Sequence, residues 1–271
     1  MGDAAMPAHD QLSVVVKAAV IQATAAGDRL LAEFSPSARP ASRADMAALG
    51  EHTEQLVLGP LRPELTGLLP AAGWLDEDLE TTPLPPGDWW VVDAVEGAVN
   101  YVHGLPEWAV TIALVRDGAP ILAVVRQPVG DLTYTAVAGG GAHLNGRPLR
   151  VSAKTSLDAA IVGTGQAEAG QDGSYRRIGR SVTALLGQAL LVRTSVPSTF
   201  PLLLVASGQH DVFWQYEPVL PGVAAGALLV AEAGGVVSRI DGSPWRPGSA
   251  DFLAAAPGLH QAAVDALAVV D

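Results

Sequence analysis

Three features of the sequence predict a mixed α+β / α/β fold. They are an opening stretch of helical periodicity, a central block of apolar runs parted by turn dipeptides, and a second half in which short apolar runs alternate with helical stretches. In the opening stretch Leu12, Val16, Ala19, Val20, Ala23, Leu30, Leu31 and Phe34 recur at helical spacing, with Asp10 placed as N-cap and Pro36 beyond the end. Residues 1–9 are expected to be disordered. Ser35 to Ser42 reads as a Pro- and Ser-containing loop. A second helix is predicted from Asp45 to Leu58, where Pro60 and Pro63 are expected to interrupt it.

From Trp89 the pattern changes to strands: Trp89–Asp93, Ala109–Val115, Ile121–Gln127 and Leu132–Ala138, separated by Asp117-Gly118 and Gly130-Asp131. Such a series forms an antiparallel meander, and Asn145-Gly146 adds a hairpin turn. The second half then alternates a strand at Ile161–Gly163, a helix around Ser174–Leu186, a strand at Leu190–Arg193, a helix near Leu202–Ser207, a strand at His210–Phe213 and a helix across Ala224–Ala233, with Gly234-Gly235 as its stop. A last helix covers Leu259–Val269. The expected organisation is an N-terminal α+β lobe at 10–152 and a C-terminal α/β lobe at 153–271. No internal repeat or low-complexity tract interrupts them.

The 271 residues, 49% of them hydrophobic, suffice for one large domain or two fused lobes. A formal charge of −12 with a pI near 4.8 argues against a nucleic-acid partner, whose phosphates would be repelled. Any anionic substrate needs a cation beside it. The absence of cysteine excludes disulfides, zinc-thiolate sites and thiol nucleophiles. Met1 to Asp10 lacks a basic region followed by an apolar stretch, and no apolar span is long enough to cross a bilayer. A cytoplasmic, soluble protein acting on a small molecule, with no membrane partner, is therefore expected.

The chemical centre is expected in the segment from Trp89 to Pro106, where Asp93 and Glu96 fall in a tight turn at the end of a buried strand. Oxygen ligands fixed beside backbone N–H groups opened by Gly97 suit Mg²⁺ and a phosphate.

This segment, Asp93-Ala94-Val95-Glu96-Gly97-Ala98-Val99-Asn100-Tyr101-Val102-His103-Gly104-Leu105-Pro106, resembles the signature of the inositol monophosphatase family. There the strand ends in Asp-Pro-(Ile/Leu)-Asp-Gly-Thr, followed by Asn, an aromatic residue and Val-His-Gly-Phe-Pro. The resemblance continues through Gly139 to Arg147 and through Ala224 to Gly235. It implies a layered αβαβα sandwich, a homodimer, and hydrolysis of phosphate monoesters with Mg²⁺. It further implies a metal site made by Glu77, Asp93, the Val95 carbonyl and Glu96, with Glu51 in the position that orients the attacking water. Gly97, Ala98, Val196, Pro197 and Ser198 fall at the substrate positions, and His103 near the pocket mouth.

Several positions depart from the family pattern. Ala94, Glu96 and Ala98 replace the Pro, the second Asp and the Thr; Gly222 stands where a late helix should begin with a carboxylate; Gln215 replaces a common acid. Glu96 displaces its oxygens by about 1.5 Å relative to Asp, and Mg²⁺ tolerates little displacement. One Mg²⁺ or none is expected in place of a full set. These changes lead to the expectation of a degenerate phosphatase site reused for carboxylate acid/base chemistry such as cyclisation, isomerisation or dehydration. The alternatives are an active Mg²⁺-dependent phosphatase, in which Glu96 and Glu51 reach where shorter Asp residues normally stand and water or Glu217 fills the vacancy at Gly222, and a noncatalytic binding or scaffolding protein.

Overall fold

The computed structural model describes residues 8–167 and 171–268, apart from the side chains of residues 8–11 and of Glu77. The chain begins with two long helices, α1 (Ala8–Glu33) and α2 (Arg43–Leu68). A meander follows: β1 (Gly73–Trp74), β2 (Asp88–Glu96), the short helix α3 (Ala98–Val102), β3 (Ala109–Arg116), β4 (Ala119–Gln127), β5 (Leu132–Val137), β6 (Gly141–Leu144) and β7 (Arg147–Pro148). The second half supplies β8 (Ile161–Thr164), α4 (Asp172–Leu186), β9 (Leu191–Thr194), α5 (Thr199–Ala206), β10 (Val212–Tyr216), α6 (Leu220–Glu232), β11 (Val236–Ser238), β12 (Asp251–Ala255) and α7 (His260–Leu267).

Strands β1 to β7 pair in sequence order into a seven-stranded sheet, antiparallel except for β1 beside β2. The other sheet has the order β11-β12-β10-β8-β9, with β10, β8 and β9 parallel and β11–β12–β10 antiparallel. Helices α1 and α2 cover the outer face of the first sheet, α5 and α6 lie between the sheets, and α4 and α7 cover the outer face of the second. This is the predicted αβαβα sandwich.

Side-chain alternation accounts for the layering. On β3, Val110, Ile112 and Leu114 point into the core under α1 and α2, whereas Ala109, Ala113 and Val115 point toward α5 and α6. Strand β4 divides likewise, with Leu122 and Val124 outward and Ala123 and Val125 inward. The inner face is built largely of alanine, and α6 meets it with Ala224, Ala225 and Ala227. Small side chains on both surfaces allow close approach, which explains a composition rich in alanine and glycine. Gly226 takes this to its limit: a Cβ there would lie 2.5 Å from Leu202 Cδ1 of α5.

Two predictions about the first helices are corrected. Helix α1 is already formed at Ala8, so Asp10 lies within it rather than capping it; the expected disorder of residues 1–9 falls, up to residue 7, outside the described residues. Helix α2 does not stop at Leu58 but continues through Pro60 and Pro63 to Leu68. Thr53, Val57, Leu61 and Leu65 form a buried stripe at four-residue spacing, while both prolines are on the exposed face. The carbonyls that lose a partner there can turn to water, and core packing holds the helix on either side. Strands β11 and β12 were not predicted, and β10 extends three residues beyond the expected Phe213.

The layers are clasped at the far end of α6. Both carboxylate oxygens of Glu232 accept hydrogen bonds, from the backbone N–H groups of Gly139 and Gly141 at 2.8 Å each, tying α6 to the β5–β6 turn. Glu232→Ala is expected to destabilise the protein by about 1–2 kcal/mol, a moderate value because the clasp is partly solvated. Chemical denaturation with an unchanged m-value would measure it.

Candidate active site

Strand β2 carries the site because its pairing slips near its end. Two carboxylates three residues apart on a regular strand would point to opposite faces. Between Asp93 and Glu96 the register with β3 shifts by an irregularity, and the two side chains meet. Gly97 then turns the chain into α3 with φ 87°; a Cβ there would lie 2.7 Å from the Glu107 carbonyl oxygen and 3.0 Å from Pro197 Cγ. Only glycine satisfies both the left-handed backbone and the close approach.

Glu96 is 4% exposed. Its Oε1 accepts the backbone N–H of Thr199 at 3.2 Å, the first residue of α5. Glu96 thus caps a helix 103 residues away in sequence. Thr199 Oγ1 donates to the Gly222 carbonyl at 3.0 Å, joining the start of α5 to that of α6. Asp93 keeps part of its surface open to the cavity but lies deep in the protein, and its Oδ1 accepts the Val95 N–H at 2.9 Å.

Burial raises the pKa of both acids. Glu96 is pushed well above the ordinary glutamate range, first by desolvation, then by the charge of Asp93 and by the hydrogen bond it donates to Asp93, with Thr199 opposing. Asp93 is raised by desolvation, and the hydrogen bond received from Glu96 and that from Val95 oppose the rise. Burial and mutual repulsion thus favour the protonated form of the pair, more strongly at Glu96 than at Asp93.

The cavity around this pair is about 530 Å³. It is lined by Asp93, Val95, Glu96, Gly97, Ala98, Val99 and Asn100 from β2 and α3; by Val196, Pro197 and Ser198 ahead of α5; and by Gln166, Ala167, Gln171, Gln215, Glu217, Val219 and Gly222. Three acids line it and no lysine, arginine or histidine does, among the described residues. Ser198 Oγ donates to Gln215 Oε1 at 2.6 Å, and Asn100 Nδ2 donates to the carbonyls of Glu107 (2.8 Å) and Val196 (3.2 Å). The Val196–Pro197 peptide is cis. Glu217 sits at φ 48°, its N–H bonded to the Ala250 carbonyl.

Of the residues singled out in the sequence, Asp93, Val95, Glu96, Gly97, Ala98, Val196, Pro197 and Ser198 lie together in this cavity. Glu51 does not. It is exposed on α2, lining an outer groove and accepting a hydrogen bond from Gln55 Nε2 at 3.4 Å. One helical turn further, Glu54 lines a second cavity of about 340 Å³ with Thr53, Glu80, Asp93, Val95 and Ala98. The buried stripe beginning at Thr53 sets the helical phase and places Glu54, not Glu51, among the residues lining the cavity that Asp93 also lines. His103 also lies outside both cavities, its Nδ1 paired with the Val99 carbonyl at 2.7 Å and its own carbonyl accepting from Arg39. The backbone of Glu77 opens a 3₁₀ turn (Glu77–Leu79) near the second cavity; its side chain lies outside the described residues. Glu80, three residues on, was not singled out, nor was Thr199, whose part depends on a contact that no local pattern encodes.

Metal-free protein provides a test of this electrostatic arrangement. A carboxyl whose folded pKa exceeds its unfolded value contributes stability that is complete below the unfolded value, here 3.8 and 4.5, and is lost as pH rises through the folded value. Glu96→Gln removes one charge while its amide can still accept from Thr199 and donate to Asp93. The variant is expected to be more stable than the parent at pH 8, by about 1–3 kcal/mol, with the difference vanishing toward pH 4. Thermal unfolding in chelator at the two pH values measures this.

The comparisons with known proteins agree with the fold. A profile of the inositol monophosphatase family matches residues 11–269. An inositol-1-monophosphatase from Rhizobium meliloti is 36% identical over 192 residues, covering 70% of this chain and 72% of that protein. The Nus factor SuhB of Pseudomonas aeruginosa is 42% identical over 158 residues, 57% of each chain. Among solved structures, the inositol monophosphatase from Anabaena (Nostoc) superposes with a TM-score of 0.79 at 27% identity over 97% of this chain and 98% of that one. The chain belongs to the inositol monophosphatase family.

Proposed function

We propose that the protein is a Mg²⁺-dependent phosphatase of a small phosphate monoester. The observation that carries this reading is the composition of the 530 Å³ cavity: Asp93, Glu96 and Glu217 face it and, among the described residues, no basic side chain does. An anionic substrate can enter such a cavity only with a cation. Family membership supplies the reaction class by analogy.

The donor set fits one ion. Among the described residues no three acidic or histidine side chains converge closely enough to enclose a metal. Mg²⁺, however, commonly binds through one or two carboxylates, substrate phosphate and several waters. Asp93 and Glu96 would supply the carboxylates and Val95 a carbonyl, and a cation there would favour the ionised form of both acids. When bound, Mg²⁺ supplies neutralisation of phosphoryl charge and activation of water. Asp93 would hold the metal from the open side of the cavity, where substrate enters. Glu96 would hold it while keeping α5 and its preceding loop, Val196 to Ser198, against the cavity. Ala98 offers no hydroxyl to orient water, so turnover is expected to be modest.

The missing hydroxyl at Ala98 and missing carboxylate at Gly222 favour a second reading, a proton-transfer site for small molecules based on the same acid pair. The two readings separate by metal dependence. The phosphatase reading expects phosphate release that requires Mg²⁺, stops in chelator and falls at least about 10²-fold in Asp93→Asn. Metal-independent ligand binding with no phosphate release from a panel of monoesters would favour the second.

Position 222 gives a sharper prediction. A Cβ built on Gly222 meets Ser198, Val219 and Glu96 Oε1 at 3.8–3.9 Å, ordinary contact distances. Gly222→Asp therefore fits and adds an acid beside the pair. It is expected to lower the Mg²⁺ concentration giving half-maximal rate by about tenfold, on the order of 1.4 kcal/mol. Glu51→Gln, outside the cavity, is expected to leave the rate within about twofold of the parent.

A further inference from the structure

We propose that the alcohol half of the monoester is apolar, a cycloalkyl, alkyl or aryl group in place of a polyol. This rests on the phosphatase reading and names the substrate class of that same cavity. Beyond the carboxylates and the glutamines Gln166, Gln171 and Gln215, the wall is formed largely by Ala98, Val99, Ala167, Val196, Pro197 and Val219. Val99 and Val196 are 59% and 46% exposed, unusual for valines that come from distant segments and converge on one opening. Their placement is fixed, because Asn100 next to Val99 donates to the carbonyl of Val196.

The chemistry of this wall discriminates between leaving groups. A ring methylene placed against the valines leaves water for an apolar surface, a gain of roughly fourfold in affinity per methylene buried. A hydroxyl packed against the valines leaves water and gains no hydrogen bond from them. Three polar side chains that line the cavity are already engaged within the protein: Ser198 and Gln215 with each other, and Asn100 with two backbone carbonyls. They have little to offer a ring of hydroxyls. A polyol seated against the valines would leave the hydroxyls on that side unpaired, whereas an apolar ring of the same size would not.

The test compares cyclohexyl phosphate with inositol 1-phosphate, which share a six-membered ring and a secondary alcohol leaving group and differ in ring hydroxyls. Both kcat/KM for Mg²⁺-dependent phosphate release and Kd by calorimetry are measured, the latter in Ca²⁺ as well as Mg²⁺. The expected result is a preference of at least about tenfold for cyclohexyl phosphate, narrowed at least about fivefold in the double variant Val99→Ser, Val196→Ser, whose two sites are exposed and do not disturb the core. An equal or reversed preference, or one unchanged in the double variant, overturns the proposal. If neither ester is hydrolysed the phosphatase reading fails, and the two Kd values decide the inference separately. Tighter cyclohexyl phosphate binding supports it; equal, reversed or absent binding overturns it.

Discussion

One buried carboxylate joins the chemistry of this protein to its architecture. Glu96 ends β2 in the first sheet, caps α5 in the middle layer and meets Asp93 in a buried pair whose pKa values are both raised. A helix start needs acceptors for its free N–H groups, and here the acceptor comes from another layer instead of from the adjacent Ser198, whose hydroxyl is committed to Gln215. Because Thr199 also grips the Gly222 carbonyl, the starts of α5 and α6 and the end of β2 form a single corner. The extra methylene of glutamate relative to aspartate therefore has a structural correlate: it reaches the helix.

The cavity opens at that corner because the layers pack so closely elsewhere. Alanines on the inner faces of β3 and β4 and small residues on α6 let helix and sheet approach, and Gly226 lets α5 and α6 touch. Where β2 slips register and Gly97 turns the chain away, this close packing ends. What remains is a pocket with polar groups at its base and valines at its rim.

Much of this was legible in the sequence. The four central strands, the alternation in the second half and the Asp93–Ala98 turn follow from hydrophobic period, turn dipeptides and an acid pair at a strand end. The structure brings those turn residues and the Val196–Ser198 segment to one cavity. Three things were not legible, each for a physical reason. Proline argues locally against helix, yet the buried stripe from Thr53 to Leu65 carries α2 past two of them. The phase of that stripe, set by tertiary packing, exchanges Glu51 for Glu54 at the second cavity. The capping of α5 spans 103 residues of separation, beyond any local pattern.

The slip between β2 and β3 has a wider consequence. Because a kink in the main chain, and not the identity of the acids, decides that positions 93 and 96 converge, the corner works as a socket whose contents can be exchanged. A lineage can swap aspartate for glutamate, threonine for alanine or a helix-start acid for glycine while the surrounding layers stay as they are. A single inserted or deleted residue between 93 and 96, by contrast, would swing one acid to the opposite side of the strand and dismantle the socket at once. Divergence at this corner should therefore proceed by replacement and almost never by change of length.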